Sequence, residues 1–244
     1  MTVQTSKKPL IFHRTGPMPC PYLPGLVERN LFTELTGIKA QEQHEFLTRA
    51  GFRRSHHIAY RPACSGCNKC VPVRIATKYF NADRSERRVI KKNNDLNISV
   101  LKALANLEHY KLFQAYQQDR HSNGEMAAMT FSDYRSMLED TSVETHLVEF
   151  RNKQGVLVAG CLVDQISDAY SAVYSYYSPS EISRGLGNFI ILWLVQRTKA
   201  LGMSYLYLGY WIKDCAKMSY KARYNQIEYL GPSGWEKFEN NSVN

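Results

Sequence analysis

Cys64, Cys67 and Cys70 follow Pro62 at C-x2-C-x2-C spacing, and Cys20 stands upstream in its own Pro-rich turn. A free thiol titrates near pH ~8.5, so several thiolates gathered at neutral pH need a cation to hold them deprotonated. In a reducing compartment such spacing suits metal binding better than disulfides. Cys20, Cys64, Cys67 and Cys70 are therefore the candidate ligands of zinc or an iron–sulfur cluster, since sets of four cysteines serve both. A loop of reduced, unmetallated thiols is the alternative. Cys161 and Cys215 lie in apolar contexts and read as ordinary buried cysteines.

Charge supplies the second signal. The chain carries 31 basic and 22 acidic residues, a net +9. Arg53, Arg54, Arg61, Lys69, Arg74, Lys78, Arg84, Arg87, Arg88, Lys91 and Lys92 face only Asp83 and Glu86 between residues 53 and 92. Elsewhere acids and bases balance, so the whole excess belongs to one segment and points to a local polyanion site. A solvated basic face is the plainer account of the same residues.

Two further segments carry chemistry. Arg184, Gly185 and Gly187 precede an apolar helix, where exposed amides and bare glycines form an anion cradle. The run is too short for a Walker loop and lacks the third glycine of a dinucleotide fingerprint; a tight turn explains the glycines equally well. Tyr205, Tyr207, Tyr210 and Trp211, followed by Lys217, Tyr220 and Lys221, set rings beside cations, as suits a single-stranded 3′ end. An aromatic core strand with a solvated lysine pair is the competing account.

These residues need a frame. Periodicity predicts helices over 41–50, 84–92, about 103–120, after Ser132, and 188–200, the second opened by a capping-box-like Asp83 and Glu86. Strands are expected over 52–60, 71–75, 143–150, 156–163, 169–177 and 203–210, with a hairpin at Asn152–Gly155. Strand, Gly loop, helix, strand at 169–210 is a βαβ unit, so part of the sheet must be parallel. Residues 1–8 read as a polar start. The longest apolar run, Phe189–Val195, is far short of the roughly 20 residues a bilayer span needs, and no secretory h-region is present. No membrane is expected as a partner, and the location expected is cytoplasmic.

In order, Pro19-Cys20-Pro21-Tyr22, Tyr60-Arg61-Pro62-Ala63-Cys64 with Cys67 and Cys70, Tyr207-Leu208-Gly209-Tyr210-Trp211-Ile212, and Lys217-Met218-x-Tyr220-Lys221 span nearly the whole chain. They resemble the bacterial branch of the arginyl-tRNA–protein transferase family, the aspartate/glutamate leucyltransferases. The resemblance implies an α+β fold with an acyl-CoA N-acyltransferase-like (GNAT-like) mixed sheet and flanking helices, behind a smaller cysteine-bearing region. The division expected is 1–98 for the cysteine-cluster and basic region and 99–244 for the aminoacyl-transferase domain. The activity implied is leucine transfer from Leu-tRNA to proteins with an acidic N-terminal residue, which creates an N-degron. No CoA is expected. The rivals are a zinc or iron–sulfur nucleic-acid-binding module and an acetyl-CoA-dependent N-acyltransferase.

Such a reaction is aminolysis of an ester, and an α-amine of pKa about 7.7–8.0 is already partly neutral at pH 7. The roles expected follow from side-chain chemistry. Arg53, Arg54 and Arg61 would grip the acceptor carboxylate, as guanidinium forks do. Arg84, Arg87, Arg88, Lys91 and Lys92, with Arg184, Gly185 and Gly187, would meet tRNA. Tyr207, Tyr210, Tyr220 and Lys221 would serve the terminal adenosine and the reacting ester, and His56 or His57 would accept a proton.

Overall fold

The structure, a computed structural model, describes residues 9–122 and 124–238. The polar start at 1–8 lies outside the described residues. Before the cysteine loop come β1 (His13–Arg14), β2 (Met18–Pro19), β3 (Val27–Glu28), β4 (Asn30–Glu34), α1 (Ala40–Arg49), β5 (Arg53–Ser55) and β6 (Ile58–Pro62). After it follow β7 (Val71–Ala76), α2 (Arg84–Lys92), β8 (Asn97–Lys102), α3 (Leu107–Arg120), α4 (Phe131–Glu139), β9 (Thr145–Arg151), β10 (Leu157–Ile166) and β11 (Ala169–Tyr177). The last elements are α5 (Leu186–Ala200), β12 (Tyr205–Trp211), α6 (Ala216–Ser219), β13 (Ile227–Gly231) and β14 (Gly234–Lys237).

Eight strands form one mixed sheet in the order β14-β13-β7-β12-β11-β10-β9-β8, and four form a smaller one, β1-β4-β6-β5. β11 and β12 pair in parallel across the α5 crossover, as the βαβ pattern requires. The expected α+β arrangement of a mixed sheet with flanking helices is thus the one observed. β7 comes from before residue 98 yet sits inside the large sheet, antiparallel to both β12 and β13.

One sheet face packs on α2 and α5 through Val163, Leu186, Phe189, Leu206 and their neighbours. The other carries α3 and α4 through Phe113, Tyr134, Leu162 and Tyr176. The N-terminal unit is joined to that second face by a buried ion pair: the Arg54 guanidinium donates twice to Asp164, at 2.7 Å each. Burial alone would raise the Asp164 carboxyl; Arg54 and His44 outweigh it and hold the group down at about 2.

The strand expected over 52–60 is instead a hairpin, β5–β6. His56 turns the chain in the left-handed region (φ +52°), where a continuous strand cannot run. β1 to β4, β8, β13 and β14 were not legible from periodicity, because three have two residues and the rest are short runs without a clean apolar alternation in sequence.

Candidate active site

β11 and β12 pair only from Ala169↔Tyr205 to Ser171↔Tyr207. Just beyond, each strand carries one extra residue. Ala172 and Tyr174 face consecutive residues of β10, leaving Val173 over; Tyr207 and Gly209 face consecutive residues of β7, leaving Leu208 over. A bulge bends its strand and sharpens its twist, so two bulges at one level make the pair diverge.

Two cations fill the fork. Arg53 Nη2 donates to the carbonyls of Ala172 (3.2 Å) and Val173 (2.8 Å), and its Nη1 to Leu208 (3.4 Å). Lys221 Nζ donates to Leu208 (2.8 Å) and Tyr210 (2.6 Å). The carbonyls that the bulges take out of the ladder are thereby satisfied, as buried backbone demands. Gly209 has φ +72°, and a Cβ there would run into the Arg53 guanidinium, so both backbone and space require glycine. Lys221 is only 5% exposed. Burial, then the Arg53 charge, pushes its ammonium down to about 7.

The rim is aromatic. Tyr116 of α3 packs on Tyr177 at the end of β11 (4.9 Å), and His121 on Tyr116 (5.6 Å). Gly187 admits the Tyr177 ring, which would lie 3.1 Å from a Cβ. Tyr220 is 39% exposed and stands edge-on to Tyr224, whose hydroxyl donates to Asn188 at the start of α5. Burial, then the Tyr174, Tyr177 and Tyr220 hydroxyls, raises the Tyr116 hydroxyl above its usual range. Cations stand on this rim: the Arg120 guanidinium lies 5.9 Å from the Tyr177 ring centre. Burial, then Lys217 and Arg120, pushes the His121 imidazole down.

The expected site residues separate into groups. Arg53 enters the fork but spends its guanidinium on backbone carbonyls. Arg54 is buried on Asp164 and faces no ligand. Arg61 is exposed, with Nη1 on the Ala50 carbonyl at 3.3 Å. Tyr207 accepts from Arg74 at 3.1 Å, and Arg74 stacks over Tyr205 and Trp235 and bonds Glu228, which makes a structural knot. The Tyr210 hydroxyl reaches the carbonyls of Gly51 (3.2 Å) and Tyr60 (3.1 Å), pinning the N-terminal unit. Lys221 lies behind β12; of the expected catalytic group only Tyr220 reaches the surface of the fork. His56 sits in the β5–β6 turn, beside the Ser55 hydroxyl at 3.1 Å. His57 is exposed.

Arg84, Arg87, Arg88, Lys91 and Lys92 are all exposed on α2, which Asp83 and Glu86 cap reciprocally. Arg184 is spoken for by Asp95 (2.8 and 3.1 Å) and Glu181 (2.7 Å), which neutralise it. Gly185 takes the left-handed conformation that starts α5, and the Lys92 ammonium and Asn93 amide tie this loop to α2 through the Ser183 and Arg184 carbonyls.

Cys20, Cys64, Cys67 and Cys70 are half-buried free thiols. Burial, then the neighbouring Cys20, Cys64 and Cys67, pushes the Cys70 thiol up to about 12. The four thus share one neighbourhood. Among the described residues no three Cys, His, Asp or Glu side chains are arranged to hold a metal ion. Cys64 Sγ instead faces the Arg29 backbone, 3.5 Å from its N–H. Lys69, in the same loop, pairs with Asp214 beyond β12 at 2.7 Å. Cys161 and Cys215 are buried, as expected.

Tyr116, Arg120, His121 and Tyr177 were missed as site residues. Tyr116 and Arg120 stand four apart on an expected helix, a spacing that puts a ring and a guanidinium on one face. Nothing in the sequence says that this face meets the end of β11.

In this mixed sheet the parallel strands thus part beside a rim of phenols and cations. Residues 18–88 match the family model described as "Arginine-tRNA-protein transferase, N terminus", and residues 108–231 that described as "Arginine-tRNA-protein transferase, C terminus". The chain is 50% identical over 232 residues to the aspartate/glutamate leucyltransferase of Paramagnetospirillum magneticum, covering 95% of each chain. To the enzyme of that name from Rhodospirillum rubrum it is 48% identical over 233 residues, again covering 95% of each. Among solved structures, L-PGS from Bacillus licheniformis is similar at TM-score 0.47 and 12% identity, over 69% of this chain and 50% of that one. FemX is similar at TM-score 0.46 and 9% identity, over 80% and 65%. The chain belongs to the arginine-tRNA-protein transferase family.

Proposed function

We propose that this chain transfers leucine from Leu-tRNA to the N-terminal Asp or Glu of proteins, creating an N-degron, and that the fork between β11 and β12 is where the two substrates meet. Family membership supports the reaction. The site is supported by one juxtaposition: the parted strands, braced by Arg53 and Lys221, open beside Tyr116, Tyr177 and Tyr220 with Arg120, His121 and Lys217.

The acceptor carboxylate is held by Arg120 and Lys217 with His121 as a hydrogen-bond donor, in place of the Arg53, Arg54 and Arg61 set. The tyrosine rings stack the terminal adenosine, and α2 meets tRNA phosphates. The α-amine nitrogen attacks the ester carbonyl, the bond from that carbon to the ribose oxygen breaks, and that oxygen takes up the proton the amine loses. With the nucleophile already partly neutral, positioning carries the rate, and holding amine and ester in line contributes up to about 7–11 kcal/mol. Arg53 and Lys221 touch neither substrate and act as positioning residues that fix the width of the fork.

The reaction has no step routed through the cysteine cluster. A zinc or iron–sulfur centre at Cys20, Cys64, Cys67 and Cys70 would require the loop to draw in around it, and elemental analysis of anaerobically purified protein tests for one. Among the described residues no helix is long and apolar enough to cross a membrane.

Incubation with radiolabelled Leu-tRNA and peptides beginning Asp, Glu or Ala tests the reading. Label on the acidic peptides alone is expected; label on none, or equally on all three, refutes it.

A further inference from the structure

The buried stripe of α3 is largely polar. His109, Phe113 and Gln117, four residues apart, are each at most 1% exposed, although an apolar stripe would bury more cheaply. His109 Nδ1 lies 2.8 Å from the Tyr176 hydroxyl, which lies 2.7 Å from that of Tyr134 on α4. His109 Nε2 lies 3.2 Å from Glu149. With a neutral imidazole the chain runs one way: Tyr134 donates to Tyr176, Tyr176 to Nδ1, and Nε2–H to Glu149. Two turns on, Gln117 Nε2 donates to the Tyr174 hydroxyl at 2.6 Å. Gly160 completes the seat, because a Cβ there would come within 2.5 Å of the Tyr176 ring.

Tyr174 and Tyr176 lie just past the Val173 bulge of β11, and the far end of α3 carries Tyr116 and Arg120, with His121 next in the chain. Apolar contacts let a helix slide or roll by fractions of an ångström, whereas directional bonds fix both its rotation and its axial position. We propose that the Tyr134–Tyr176–His109 chain, with the Gln117–Tyr174 bond, is a positioning device that registers α3 on β11 and so places Arg120 and His121 for the acceptor N-terminus. The proposal rests on the fork being the acceptor site.

The test separates register from stability. Tyr176→Phe strands a donor and an acceptor, so it lowers the urea midpoint and raises the KM for an Asp-initiated peptide about fivefold, with Leu-tRNA affinity within about twofold. The triple variant Tyr134→Phe/Tyr176→Phe/His109→Leu removes the three buried members at once and leaves Glu149 to Arg151; its midpoint returns toward the parent while its KM stays raised. Gln117→Met, outside the chain, gives the same KM readout should the triple variant not fold. A KM that recovers together with the midpoint, or that Tyr176→Phe and Gln117→Met leave unmoved while Arg120→Ala raises it, overturns the proposal. If Arg120→Ala leaves the KM unchanged too, the acceptor-site reading fails and the proposal falls with it.

Discussion

Lys221 makes stability depend on pH with a sign opposite to that of a lysine in an ion pair. Its folded pKa is about 7, against an unfolded value of 10.5. Below pH 7 the group is charged in both states and the cost of burying the ammonium is felt in full. Between 7 and 10.5 the unfolded chain holds the proton and the folded chain does not, so stability rises with pH across that window. At about 1.4 kcal/mol per unit, moving from pH 7 to 9 contributes roughly 2–3 kcal/mol. Replacing Lys221 by Met keeps the length of the side chain and removes the titration. The variant is less stable at every pH, because the Tyr210 carbonyl loses the ammonium and Leu208 keeps only the 3.4 Å bond to Arg53. The informative quantity is therefore the difference between pH 7 and pH 9 in each protein, where other titrating groups cancel. Urea unfolding is expected to show the parent gaining about 2–3 kcal/mol more than Lys221→Met over this interval. Equal gains in the two proteins would show that Lys221 is not a buried amine that sheds its proton near neutral pH, and the account of its place in the fork would be wrong.

Breaking the Arg54–Asp164 pair with Arg54→Met leaves the buried carboxylate with only His44 and the Thr145 hydroxyl, and denaturation should show a loss of about 3–5 kcal/mol; since Arg54 faces no substrate, the acceptor KM measured well below the transition should hold. The Asp164 carboxyl is held near 2, so its contribution is present above the unfolded value and fades as pH falls from about 4 toward 2; Asp164→Asn should flatten the acid limb of the stability curve. Gly209→Ala displaces the Arg53 guanidinium, and single-turnover transfer should fall more than about tenfold with Leu-tRNA still bound. Arg87→Glu with Arg88→Glu should weaken Leu-tRNA binding and flatten its salt dependence, read from binding at two salt concentrations; an unchanged slope would free α2 of its role.

Much of the frame was legible because it rests on local rules. The capping pair Asp83 and Glu86 opens α2 where a backbone needs its donors satisfied, and apolar runs ending in Gly loops set β11, α5 and β12, hence the parallel pair. The motifs that place the chain in its family are likewise strings of residues. The fork is different. Arg53, Arg54, Arg74 and Lys221 have side chains suited to binding anions, and sequence alone assigned several of them to substrates. Folding gives Arg53 and Lys221 to carbonyls taken out of the ladder by two bulges, Arg54 to Asp164, and Arg74 to rings and Glu228. A buried carbonyl or carboxylate competes for a cation as strongly as a ligand does, and which cations are claimed depends on strands far apart in the chain. Arg120, whose exposed guanidinium meets its chain neighbour Asp119 at 3.5 Å, and Lys217, with His121 beside them, come together only when α3 and the segment after β12 meet at the end of β11. The sequence by itself determined the main helices, the central strands and the family to which the chain belongs; the tertiary structure decided which charges stay at the surface, because burial removes a charge from service by giving it an internal partner.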